Sequence, residues 1–124
     1  MQISFMKKKC IAIAILLSIH ISASAQSQDP KSLIGRWNLT LDVNGKPAPS
    51  WMEVKLSGFK TLVGSYVSVA GSARPVSEVK FDNGNFHFEI PPQWEGGTQN
   101  LKVEGALTAD GIEGKVTEPN GKSY

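Results

Sequence analysis

The sequence contains almost no cysteine and very little histidine. Cys10 is the only cysteine, and His20 and His87 are the only histidines, in 124 residues. Cys10 and His20 fall in an N-terminal leader, so His87 alone remains for the mature domain. This excludes a cysteine nucleophile, a disulfide framework and a multi-histidine metal site there. The mature domain must therefore fold on hydrophobic burial alone.

The only long apolar run of the sequence lies in this leader. Three lysines at 7–9 precede an apolar segment over 10–21, and Ala23-Ser24-Ala25 forms a small-x-small cleavage site. This order is typical of a secretory signal peptide. The alternative is a membrane anchor, but the run is shorter than the roughly 20 residues that span a bilayer. Cys10 lies at the start of the run and not at the cleavage site, which argues against a lipoprotein anchor.

We therefore predict a signal peptide over 1–25, a polar linker over 26–31 and one domain over 32–124. A periplasmic or secreted bacterial protein is expected, with no membrane attachment after cleavage. Cleavage also removes the net positive charge. The whole chain has 13 basic and 11 acidic residues, and loss of three lysines leaves ten against eleven, a net charge of −1. Such a domain has no excess of cations for a nucleic acid partner.

The mature sequence shows no helical period, and apolar residues alternate with polar ones. The alternating segments begin at Trp37, Met52, Val79, Phe86, Leu101 and Ile112. A period of two predicts strands with one face in a core. Asn-Gly or Asp-Gly follows at 44–45, 83–84, 110–111 and 120–121, and these pairs favour tight antiparallel turns.

The fold class predicted is all-β: an antiparallel meander of seven to eight strands, forming a curled sheet or a lipocalin-like barrel. A further strand is expected over 60–69, with Gly64 at a bulge or bend, and at most one helical turn over 29–34. After the turn at 118–121, residues 122–124 begin an eighth strand that does not continue, which is typical of a C-terminally truncated chain.

Residues for catalysis are few. His87 lies between two phenylalanines on the predicted solvent face. Glu53, Glu89, Glu104 and Glu113 occupy outward strand positions beside lysines, as cross-strand charge pairs do. We therefore assign no catalytic residue, no metal ligand and no cofactor.

Two loops contain candidate ligand-binding residues. Arg74, in the loop 71–75, can fork onto a carboxylate or sugar hydroxyls, or it can bond backbone carbonyls and hold the loop. Trp94 follows Pro91-Pro92, which end a strand, and lies between Gln93 and Glu95. The Trp94 ring, next to an amide and a carboxylate, is suited to stacking on a sugar if it is exposed. If the ring folds back instead, it plugs the end of the barrel. We favour the plug. If the ring is exposed instead, the predicted ligand site consists of Arg74, Gln93, Trp94 and Glu95.

A resemblance to known families rests on four stretches. The Gly35-Arg36-Trp37 opening is similar to the start of lipocalin-like barrels. That opening, with 50–64, 71–75 and 91–94, resembles the N-terminal β domain of secreted bacterial proteins that carry a 3-keto-disaccharide hydrolase domain. The resemblance covers 33–124. It implies a C-terminal catalytic partner of jelly-roll fold in the same parent chain, and it places no catalytic residue in 1–124.

Two hypotheses of different classes follow. The first is a non-catalytic accessory module of a carbohydrate-active, glycoside hydrolase-like protein, with a carbohydrate as the associated ligand class. The second is a free-standing lipocalin-like binder of a small apolar ligand. The long resemblance and the unfinished strand favour the first.

Overall fold

The computed structural model describes residues 29–69, 71–93 and 97–124. The predicted signal peptide and most of the linker lie outside these ranges. A single-turn 3₁₀-helix over Pro30–Leu33 precedes seven strands, and it is the only helix within the described part of the chain. The strands are β1 (Gly35–Val43), β2 (Lys46–Ser57), β3 (Thr61–Val67), β4 (Ala73–Asp82), β5 (Asn85–Ile90), β6 (Leu101–Thr108) and β7 (Gly111–Thr117). No helix in the described ranges is long and apolar enough to cross a bilayer.

The strands form one antiparallel meander in the order β1-β2-β3-β4-β5-β6-β7, curled into a half-barrel. The predicted all-β fold class is confirmed. Strand β4 makes the corner of the curl: its residues up to Val79 pair with β3, and its last three residues pair with β5. The register of β3 against β4 shifts between Leu62 and Gly64, where Val63 alone faces Ser77 and Glu78. The irregularity predicted at Gly64 is therefore a bulge whose extra residue lies in β4.

Turn chemistry explains how the strands connect. Asn44 and Asn83 have φ values of 54° and 49°, and the glycine that follows each is also at positive φ. Each pair therefore supplies the two left-handed residues of a tight hairpin. The β6–β7 turn lies one residue earlier in the sequence than predicted. Thr108 pairs with Gly111, so the turn residues are Ala109 and Asp110, and Gly111 already belongs to the strand.

The core lies on the concave face of the sheet. Its buried apolar residues are Leu33, Leu41, Met52, Val54, Leu62, Tyr66, Val76, Val79, Phe86, Phe88, Ile90, Leu101, Val103, Leu107 and Val116. Leu33 of the 3₁₀-helix closes one end, where the Trp37 indole Nε1 donates a hydrogen bond of 2.9 Å to the Leu33 carbonyl. Leu56 continues the alternation of Met52 and Val54, which predicts an inward side chain, but it is 41% exposed. Pairing with β1 ends at Val54 and leaves the tip of β2 uncovered.

Candidate functional site

The two edges of the sheet, β1 and β7, face each other across a groove that we call the seam. In the described structure β1 is paired with β2 and β7 with β6, and no ladder joins β1 to β7. The seam contains a cavity of about 590 Å³. Its lining consists of 37–42 of β1, the turn residue Asp110, 111–116 of β7, and Met52, Phe86, Val103, Glu104 and Tyr124. Ligand sites commonly have volumes of about 300–1,000 Å³.

Most inward-pointing side chains of β1 are only partly buried, which indicates that the seam is open. Trp37 and Leu39 point inward but are only half-buried, whereas Met52 and Val54 on the neighbouring β2 are 1% and 2% exposed. Ile112 on β7 is half-buried in the same way. Apolar side chains at both edges therefore lack a neighbouring strand on one side.

The floor of the seam depends on a glycine. Phe86 on β5 pairs with Gly105 on β6, and a β-carbon on Gly105 would come within 2.6 Å of the Phe86 Cζ atom. The phenylalanine ring therefore lies directly over the Gly105 backbone. This arrangement gives the seam a flat apolar floor, because the next residue pair toward β7 is Gly105 with Gly114.

Residues 122–124 enter the seam along β7. Tyr124 N donates to the Val116 carbonyl (2.8 Å), and Val116 N donates to the Tyr124 carbonyl (3.0 Å). Ser123 bridges Thr117 in the same antiparallel register. The predicted beginning of an eighth strand is therefore confirmed, and the half-buried Tyr124 ring lines the cavity and packs against the core.

The rim of the seam is acidic. Asp42, Glu104, Asp110 and Glu113 supply four carboxylates, and Lys115 is the one cation among the lining residues. One Asp42 carboxylate oxygen accepts a 2.7 Å hydrogen bond from Gly45 N and so also holds the first hairpin turn. The excess of negative charge disfavours an anionic occupant.

A second polar region lies at the end of the half-barrel opposite Leu33. We call it the end cluster, and its members are Ser50, Tyr66, Ser68, Arg74 and Glu118. All five are buried, with Arg74 2% and Glu118 7% exposed. The Ser68 hydroxyl donates to the Glu118 carboxylate, and the Ser50 hydroxyl donates to the Val67 carbonyl. Buried charges of both signs and serine hydroxyls thus tie the β3–β4 loop to the turn after β7.

The surroundings of Tyr66 in this cluster shift the pKa of its hydroxyl. Burial raises the pKa of its hydroxyl above the usual 10.0, and the nearby Glu118 carboxylate adds to the rise. The Ser50 and Ser68 hydroxyls and the Arg74 charge lower the pKa by lesser amounts. Both serines donate their protons elsewhere, so Tyr66 Oη has no well-aligned hydrogen-bonding partner among the described residues. The Tyr66 ring packs edge-on against Phe88, with centroids 5.7 Å apart.

The residues predicted as a ligand site lie in different environments. Arg74 was expected in a loop, but it is the second residue of β4, opposite Tyr66, and its side chain is buried in the end cluster. Gln93 is exposed just after β5, which ends at Ile90 as predicted. Trp94 and Glu95 lie outside the described residues, so the choice between plug and stacking platform stays a prediction. A β-carbon on Gly97 would come within 2.2 Å of the Pro119 carbonyl oxygen, so this loop packs beside the turn that carries Glu118.

Three of the surface groups considered for catalysis, His87, Glu53 and Glu89, lie on the convex face. His87 is exposed. Glu53 pairs with Lys55 on its own strand at 3.1 Å, and Glu89 lies 3.9 Å from Lys102 across the β5–β6 pair. Within the described ranges, no three His, Cys, Asp or Glu side chains come together as a metal site.

Sequence reasoning did not identify the seam or the end cluster. The signal for the seam was the odd number of complete strands, which leaves two edges. The signal for the end cluster was weaker: Glu118 sits directly before a turn Pro-Asn-Gly, where a solvent-exposed position is the ordinary expectation. Comparison with protein-family models, with curated proteins and with solved structures found no match for the chain.

Proposed function

We propose that this domain is a non-catalytic accessory module of a secreted or periplasmic carbohydrate-active protein. Its catalytic partner is a jelly-roll domain of the 3-keto-disaccharide hydrolase type in the same polypeptide. The resemblance of the opening Gly-x-Trp and of the 50–64, 71–75 and 91–94 stretches supports this assignment.

The observation that carries the proposal is the open seam. The sheet has two edges that face each other, with half-buried apolar residues on both. Exposed sheet edges are sites for pairing with further chain, and folded proteins normally cover them. A domain whose sheet is open along one side suits a role as one part of a larger protein.

The proposal is tested first by the coding DNA downstream of Tyr124. A reading frame that continues into a domain with the strand pattern of a jelly roll is the expected result. A stop codon directly after Tyr124 would contradict the proposal and would favour a free-standing protein.

A second candidate function is a lipocalin-like binder of a small apolar molecule, and the cavity of about 590 Å³ favours it. The acidic rim then selects a neutral ligand over an anionic one. Titration with the neutral dye N-phenyl-1-naphthylamine tests this function. A ligand site requires saturable binding that Leu39→Asp abolishes and that Thr61→Asp, at an exposed position of β3 outside the cavity lining, leaves intact. Absence of saturable binding removes this candidate.

A further inference from the structure

We propose that the seam is a strand-addition site, occupied by an extended segment that continues from Tyr124 and runs antiparallel to β7. The inference rests on the proposed function, which places further polypeptide in the same protein. It goes beyond that function by stating where the added segment binds, in which direction and in which register.

The direction of the added strand follows from the odd number of strands in the sheet. Seven up-and-down strands leave β1 and β7 running the same way, so closing them directly would require a parallel pair in an otherwise antiparallel sheet. One more strand between them is antiparallel to both neighbours. An even number of strands is how up-and-down barrels close.

The register follows from the hydrogen bonds of Tyr124. Val116 and Tyr124 exchange both backbone hydrogen bonds, and in an antiparallel ladder such pairs recur at every second residue. The backbone N–H groups of Gly114 and Ile112 therefore point into the seam as well. They would pair with the second and fourth residues after Tyr124. The stretch from Gly111 to Lys115 leaves room for a strand of about five residues.

The register also sets the chemistry of the occupant. Val116 is buried, so Tyr124 opposite it faces inward, and the second and fourth added residues face inward too. The second and fourth added residues lie over the Phe86 floor and beside Leu39. Apolar side chains fit these two positions because their surroundings are apolar. The third added residue faces outward opposite Glu113, where a cation is complementary.

A continuing strand fits the seam better than the edge of a second copy. Lys122 to Tyr124 already occupy one end of β7, held by the Val116 pair and by the 2.7 Å bond from Glu118 N to the Lys122 carbonyl. An edge from another molecule would have to displace these residues or stop short of them. Extension from Tyr124 requires no displacement.

The test compares the full chain, purified from a secreting host, with two versions extended after Tyr124. The first extension is Thr-Ile-Lys-Ile-Thr, which puts both isoleucines inward. The matched control is Ile-Thr-Ile-Lys-Thr, which has the same composition with both isoleucines outward. The readouts are the thermal midpoint, amide exchange at Gly114 and Ile112, and sedimentation equilibrium.

The inward extension is expected to raise the midpoint by about 5 °C or more, given the usual sensitivity of a domain of this size. It is also expected to slow exchange at Gly114 and Ile112 by at least about tenfold, with the control changing neither. Equal behaviour of the two extensions would overturn the inference. So would protection of both amides in an unextended chain that sediments as a dimer, since a second copy would then occupy the seam. Neither result bears on the catalytic role, which the coding DNA and a hydrolysis assay test separately.

Discussion

Tyr66 shows how burial changes the chemistry of one side chain. Its pKa is raised above 10.0 by burial, so the unfolded state releases the proton at lower pH than the folded state does. Stability is therefore unaffected by this group below pH 10 and falls as the pH rises above 10 toward the folded pKa. Burial of the neutral phenol thus makes the fold sensitive to alkali.

Tyr66→Phe is expected to remove that alkaline loss. At pH 8 the change should alter the free energy of unfolding by no more than about 1 kcal/mol, because the hydroxyl has no well-aligned partner to lose. Urea unfolding at pH 8 and pH 11 measures the effect. The original chain should lose more stability between the two pH values than the variant. An equal loss would mean that folding does not raise the pKa of Tyr66.

Substitution of Trp94 distinguishes the two interpretations of the 91–97 loop, a plug and a stacking platform. As a plug, Trp94→Ala should cost about 3–5 kcal/mol, the usual cost of truncating a buried large aromatic side chain. As a platform, it should leave stability unchanged and cost about 1–3 kcal/mol of oligosaccharide affinity, by analogy with stacking of bases on aromatic rings. Thermal melts with and without oligosaccharide decide between them. We expect the plug, and an unchanged midpoint would direct attention to Gln93 and Glu95.

At the level of elements, Ser68 links the β3–β4 loop to the turn after β7. Its hydroxyl donates to the buried Glu118 carboxylate, so Ser68→Ala removes a hydrogen bond to a charged group. We expect a loss of about 1.5–3 kcal/mol in the free energy of unfolding. The matched control is Ser77→Ala on the exposed side of β4, expected within about 0.5 kcal/mol of the original. Equal effects of the two substitutions in denaturant unfolding would show that the link does not stabilise the fold.

The strands were predictable because each carries its own period of two. Residues 86–90 alternate buried and exposed without interruption, and the Asn-Gly turns fix the hairpins locally. Arg74 was misplaced in a loop because its place in β4 depends on pairing with Tyr66 on the preceding strand. Sequence patterns over a few residues do not predict such pairing between strands. The exposed Leu56 was missed for a related reason, since the end of β1 decides its burial.

At the scale of the whole molecule, the half-barrel is filled at both ends and open along one side. Leu33 and Trp37 lie at one end, the buried polar groups of the end cluster lie at the other, and the seam stays open between β1 and β7. The seven strands follow from the sequence, but the width of the seam depends on how far the sheet curls. That curl depends on the bulge in β4 and on the change of partner strand along β4, which no local sequence pattern predicts.

The central claim is that the domain supports a hydrolase without catalysing the reaction itself. The most direct measurement is hydrolysis of a 3-keto-disaccharide by the purified chain, beside the longer protein that a continuing reading frame would encode. We predict no turnover above buffer by this chain and turnover by the longer protein. Turnover by this chain that a point change such as Glu53→Gln abolishes would contradict the claim.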